Sequence, residues 1–101
     1  MFVLIVELKA AAGMHEKLAE LLRKLVATAQ TEEGIHLYAV QQDQQEASHF
    51  VLSEFYADQP AWLAHLSHPV VEACLAEFEA LLREPPRIIR CDALALTAWR
   101  D

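Results

Sequence analysis

Residues Ser53–Val70 read SEFYADQPAWLAHLSHPV. The stretch opens as the end of a strand, because Glu54 and Tyr56 continue the alternation set by Phe50 and Leu52. Asp58 then offers a capping carboxylate, and Pro60 is tolerated in the first turn of a helix carrying Trp62, His65 and Leu66. Ser67 or His68 starts a further helix, with Pro69 near its beginning. A strand that runs into a broken helix places one sheet beneath a helical layer. The same stretch gathers Glu54, Phe55, Tyr56, Trp62, His65 and His68, which combine proton-transfer groups with rings able to hold an aromatic molecule. Trp99, the second tryptophan, stands well apart from it.

On the N-terminal side, FVLIVELK (Phe2–Lys9) is rich in β-branched and aromatic residues and is predicted to be a strand. Val3, Ile5 and Glu7 face one way and Phe2, Leu4, Val6 and Leu8 the other, so both faces carry apolar groups and both need cover. Between Gly13 and Gly34, Met14, Leu18, Leu21, Leu22, Leu25, Val26 and Ala29 recur at helical spacing, with Glu16, Lys17, Glu20, Arg23 and Lys24 opposite. This pattern predicts an amphipathic helix docked on a sheet and stopped by Gly34. IHLYAVQQ (Ile35–Gln42) is a second strand and SHFVLSEFY (Ser48–Tyr56) a third, joined by the polar loop DQQEA. Beyond Pro69, Val71, Cys74, Leu75, Phe78, Leu81 and Leu82 form a buried helical stripe that Pro85-Pro86 terminates. RIIRCDALALT (Arg87–Thr97) is predicted to be the last strand.

The order is βαββαβ with its second helix broken in two. It predicts an α+β, ferredoxin-like fold: a four-stranded antiparallel sheet with helices on one face. The chain's 101 residues suit a single domain spanning residues 1–101. Its hydrophobic content of 54% is high for a small monomer, and the helix-free sheet face remains apolar. A second copy of the sheet would cover that face, so a homodimer is expected.

Charge narrows the function classes. A net charge of −7 argues against a nucleic-acid partner, whose phosphates call for a basic face, and against anionic membrane surfaces. No apolar run approaches a membrane span, and no basic, apolar, small-residue leader opens the sequence. Cys74 and Cys91 lack CxxC spacing and suit buried thiols in the cytoplasm.

His65 is the first candidate for chemistry, because imidazole takes protons near neutral pH from phenols and enolisable carbonyls. The alternative is a histidine that fixes a short helix. Glu54, a carboxylate among apolar neighbours, is either a base with a raised pKa, a group orienting His65, or half of a salt bridge across a subunit interface. Phe55, Tyr56 and Trp62 either line an aromatic pocket or belong to the core. The Tyr56 hydroxyl could also meet a substrate oxygen. His68 is a further pocket candidate, but Pro69 and the helix break turn it away from His65, and no metal site is expected. Arg87 and Arg90 could clamp a phosphate or carboxylate, or simply be solvated.

Three motifs carry a family resemblance: VELKAAAG (Val6–Gly13), TEEGIHLYAV (Thr31–Val40) and FVLSEFYADQPAWLAHL (Phe50–Leu66) followed by His68-Pro69. Their order and spacing resemble the antibiotic biosynthesis monooxygenase family, also called quinol monooxygenases, over nearly the whole chain. Phe55 stands where most members carry tryptophan. The resemblance implies a dimeric α+β barrel with a pocket in each subunit. It implies oxidation of a polycyclic phenol or a quinol by molecular oxygen, without metal or flavin. In that chemistry the expected base is His65, assisted by Glu54. A related branch isomerises a small phosphorylated keto sugar, and a non-catalytic small-molecule-binding dimer is a third reading. Heme-degrading relatives use an asparagine on the first strand, where this chain has Val6 and Glu7, so heme is not expected.

Overall fold

In the computed structural model, which describes residues 1–97, the elements are β1 (Phe2–Lys9), α1 (His15–Ala29), β2 (Ile35–Gln42), β3 (His49–Tyr56), α2 (Gln59–Leu66), α3 (Pro69–Leu81) and β4 (Arg87–Asp92). The strands form one antiparallel sheet in the order β2-β3-β1-β4. The connection β1–α1–β2 leaves a gap that β3 fills, which is the split βαβ arrangement expected from the sequence.

Residues opposite one another in the ladders share a face. Leu4 faces Glu54, Val6 faces Leu52 and Leu8 faces Phe50, and this side meets the helices. Leu18, Leu22 and Leu25 of α1 and Val71, Cys74, Phe78 and Leu81 of α3 close the core above it. Each such leucine contributes about 1.5–3 kcal/mol of burial. The other face carries Val3, Ile5, Val51, Phe55 and Ile89, interrupted by a polar cluster. There Glu7 accepts hydrogen bonds from Arg87 Nη1 (2.9 Å) and His49 Nε2 (3.1 Å). Arg87 first, and His49 second, hold the Glu7 carboxyl below its usual range. No helix among the described residues covers this face.

The capping expectations hold in detail. Asp58 Oδ1 accepts from Ala61 N at 2.9 Å, and Pro60 sits in the first turn of α2. Loss of that cap would cost about 1 kcal/mol. Gly13, at φ +77°, occupies the left-handed region that a turn into α1 requires.

Four expectations are corrected. Helix α1 stops at Ala29, before Gly34, because Gln30, Thr31 and Glu32 close successive turns through their backbone N–H groups onto Val26, Thr28 and Ala29. Strand β4 ends at Asp92 rather than Thr97, because its ladder with β1 ends at Phe2↔Asp92, with a last hydrogen bond from Ala93 N to Met1 O. Leu75 lies on the exposed flank of α3 instead of its buried stripe. Cys74 is buried but Cys91, on the helix-free sheet face, is only half-buried. Trp99 lies outside the described residues.

Candidate functional site

Between the sheet and helices α2 and α3 is a cavity of about 200 Å³. Its walls are apolar, with Leu4, Val6 and Leu52 from the sheet and Val71 and Phe78 from α3. At one end the titratable side chains Tyr38, Glu54 and His65 reach the lining, with Trp62 beside them. At the other end the exposed Leu75, Pro86 and Ile88 mark the mouth, between α3 and β4.

The inner end is built by three elements. Strand alternation points Glu54 and Tyr56 of β3 and Tyr38 of β2 to the helix side, with Tyr38 directly opposite Glu54. Glu54 is 5% exposed and accepts a hydrogen bond from Tyr56 Oη at 2.5 Å. Burial pushes the Glu54 carboxyl up to about 7, against the Tyr56 hydrogen bond, which favours the charged form. Burial also pushes both phenols up, and the neighbouring Glu54 charge adds to the effect on each.

His65 comes from the last turn of α2 and is 2% exposed. Its Nδ1–H donates to Glu32 Oε1 at 2.9 Å, and its ring packs on Tyr38 and Tyr56 at centroid separations of 5.3 and 5.8 Å. With Nδ1 committed to a carboxylate, the neutral ring presents Nε2 as its acceptor. The approach of the two elements depends on Gly34. A Cβ at that position would lie 2.7 Å from Ala61 Cβ. Ala61 and His65 are four residues apart on one helix face, so the same close approach that seats Gly34 on Ala61 brings Glu32 to His65. The hydrogen bond from Ala57 N to Gly34 O (2.9 Å) ties this turn to the end of β3.

The structure thus gathers His65, Glu54 and Trp62 on one cavity and separates the other candidates. Tyr56 is fully buried, and its hydroxyl donates to Glu54. Phe55 follows strand alternation to the opposite face of the sheet, next to Val3 and Leu37. His68 caps α3, its Nδ1 accepting from Val70 N at 3.1 Å. Arg87 and Arg90, three residues apart on β4, fall on opposite faces: Arg87 pairs with Glu7, while Arg90 Cζ stacks over the Trp62 ring at 5.3 Å. They do not form a clamp. Glu54 does not orient His65 by a hydrogen bond; Glu32 does. Glu32, bonded to His65, and Tyr38, on the cavity wall, are not among the candidates read from the sequence. Both lie within TEEGIHLYAV, and the parity of Tyr38 with Val40 was the available clue.

Comparison with known proteins agrees with this fold. The sequence profile described as antibiotic biosynthesis monooxygenase matches residues 1–84. The chain belongs to the antibiotic biosynthesis monooxygenase family. Among solved structures, PA3566 from Pseudomonas aeruginosa is similar at 31% identity, with 93% of this chain and 94% of that one covered and a TM-score of 0.87. NE2512 from Nitrosomonas europaea, a protein of unknown function, is 27% identical over 99% of this chain and 95% of its own, with a TM-score of 0.85. Rv0793 from Mycobacterium tuberculosis, at 20% identity, covers 96% of this chain and 98% of its own with a TM-score of 0.90, a likeness of fold. No curated protein matches the chain. Membership in the antibiotic biosynthesis monooxygenase family fits a role in small-molecule oxygenation or binding. Among the described residues no helix is long and apolar enough to cross a membrane.

Proposed function

We propose that the chain is a cofactor-independent monooxygenase of a small quinol or phenol. The observation that carries this reading is an apolar cavity lined by both a buried carboxyl, Glu54, and a carboxylate-held imidazole, His65. Dry walls raise the strength of every charge interaction inside and favour an aromatic guest. A substrate hydroxyl at the inner end gives its proton to His65 Nε2, and the Glu32 carboxylate stabilises the imidazolium that forms. Glu54, whose carboxyl titrates near neutral pH, is the second acceptor.

The phenolate then passes one electron to molecular oxygen, and the resulting radical pair combines at a ring carbon as a hydroperoxide. Loss of the proton on that carbon, with cleavage of the O–O bond, leaves a carbonyl and releases water. One oxygen atom enters the ring and the other leaves in water, so no outside reductant is consumed. In this reading the protein needs neither metal nor flavin. It works as a homodimer joined through the helix-free sheet faces, in the cytoplasm.

The test is oxygen uptake with a panel of quinols in the presence of a chelator, with product mass recorded in parallel. His65→Ala should lower the rate per folded molecule by about 10²- to 10⁴-fold. It should also cost about 1–3 kcal/mol of stability, since it leaves the Glu32 carboxylate without its donor. Full turnover in a destabilised variant would assign His65 to the scaffold. The divergence of Arg87 and Arg90 removes the main support for a phosphorylated keto sugar as substrate.

A further inference from the structure

We propose that the Tyr38 hydroxyl is a catalytic hydrogen-bond donor, holding the oxyanion left on the substrate when His65 takes its proton. The role rests on the proton-abstraction step of the oxygenase reading, but the donor itself is tested by binding alone.

Position comes first. Tyr38 stands directly opposite Glu54 in the ladder between β2 and β3, and its ring packs on the His65 ring at a centroid separation of 5.3 Å. It lines the cavity together with those two side chains. Tyr38 also borders the surface groove between α1 and β2, so the direction of its hydroxyl decides its use. The titratable groups whose charge reaches the phenol are Glu54 of β3, Glu32 of the turn before β2 and Cys74 of α3. Cys74 is buried between α3 and the sheet, so the phenol oxygen points into the space beneath the helices.

The two tyrosines beside Glu54 differ in their bonding. Tyr56 donates its hydroxyl to Glu54 Oε1. Among the described residues no side chain or backbone group is hydrogen-bonded to Tyr38 Oη. That oxygen is not sealed in either, because no fully buried side-chain oxygen or nitrogen among the described residues lacks a partner. On this half-buried side chain Oη therefore faces open space. A hydroxyl kept at an apolar wall is costly unless water or a ligand meets it.

The chemistry at this wall calls for such a donor. Taking a proton from a phenol, or from a carbon beside a carbonyl, leaves negative charge on an oxygen. An apolar cavity stabilises that charge only through hydrogen-bond donors already aimed at it. Glu54 gains and loses its own proton near neutral pH, so it is not a constant donor. Burial first, and the Glu54 and Glu32 charges next, push the Tyr38 phenol up, so it keeps its proton while it donates.

The experiment uses Tyr38→Phe, which removes one oxygen and no hydrogen bond, so the melting temperature should hold. The probe is 4-nitrophenol, whose ionised form absorbs visible light, titrated anaerobically into each protein across a range of pH. Bound to the wild type it should ionise about one pH unit lower than when bound to Tyr38→Phe, a tenfold preference for the phenolate. Glu32, Glu54, Tyr56, His65 and Cys74, the titratable groups around Tyr38, are common to both proteins. With a quinol, kcat should fall on the order of 10²-fold in the variant with KM little changed. Equal ionisation of the probe in the two proteins, an unchanged kcat, or failure of the wild type to bind the probe overturns the proposal. A lower melting temperature with unchanged ionisation does so as well, and makes the hydroxyl structural. Oxygen uptake separates the two claims. A shifted probe without turnover of any quinol keeps the donor and removes the oxygenase reading. Turnover with an unshifted probe does the reverse.

Discussion

Glu32 and His65 meet at 2.9 Å between Oε1 and Nδ1, from a turn and a helix 33 residues apart in sequence. The pair sits at the wall of an apolar cavity, next to a second carboxyl, Glu54, that Tyr56 holds from behind. His65 and Glu54 thus each have a fixed partner. That division of labour gives distinct expectations for each residue.

In the proposed mechanism Glu32 is a positioning residue. Glu32→Gln keeps an oxygen that can accept from Nδ1–H but removes the charge that stabilises an imidazolium. We expect kcat to fall on the order of tenfold or more with KM little changed, because the loss is confined to the charged transition state. Steady-state kinetics and a melting curve on the same preparation check this. A fall in melting temperature at unchanged kcat would reduce Glu32 to a structural role.

Glu54 makes stability depend on pH. Its carboxyl is raised from 4.5 in the free side chain to about 7 in the fold, chiefly by burial. Below about pH 4.5 both folded and unfolded chains hold the proton, and the favourable contribution of the neutral, buried acid is fully present. As pH rises toward 7 the unfolded chain ionises first, and that contribution is lost, amounting to about 3 kcal/mol. Glu54→Gln keeps an acceptor for Tyr56 but has nothing to titrate. Denaturant unfolding between pH 4 and 8 should show a declining wild-type stability across this window relative to the variant. Parallel curves for the two proteins would refute the burial argument.

Gly34 matters for space, not for backbone freedom. A Cβ there would fall 2.7 Å from Ala61 Cβ, so Gly34→Ala must push the turn and α2 apart. Overpacking of this kind costs about 1–3 kcal/mol and should lengthen the Glu32–His65 bond. Ala61→Gly added to Gly34→Ala restores the space. Turnover should recover in the double variant even though glycine weakens the helix by about 1 kcal/mol. Additive losses in the double-mutant cycle would show that the two positions do not touch.

The helix-free sheet face should pair with a second copy. Val3, Ile5, Val51 and Phe55 form an apolar surface there, and Phe55→Asp would place a charge on it. Light scattering at micromolar concentration should give a dimer for the wild type and a monomer for the variant. A monomeric wild type would remove the homodimer from the account.

Periodicity and capping made most of the fold legible. The strand Phe2–Lys9 and the strand Ile35–Gln42 match their predicted bounds, and Asp58 caps α2 as read. Alternation alone is enough to place Glu54 with Tyr56 and to send Phe55 to the other face, away from the cavity. The partner of His65 was not legible. Nothing in the local spacing of TEEG announces a contact with a helix three elements later, and the Gly34–Ala61 approach that produces it exists only in three dimensions. The end of β4 likewise depended on where β1 stops offering partners. The arginines show the reverse case: a three-residue spacing on a strand already implies opposite faces, and the structure realises it in Arg87 and Arg90.

The central claim is that the inner end of the cavity removes a phenolic proton so that the substrate itself reduces oxygen. Its most direct test is turnover of a small quinol under isotopically labelled oxygen gas, with wild type and His65→Ala compared at equal folded concentration. The account predicts one labelled atom per product molecule, the second label in water, and a rate that collapses in the variant. Unlabelled product, or oxygen uptake no faster than the uncatalysed oxidation of the quinol, would contradict it.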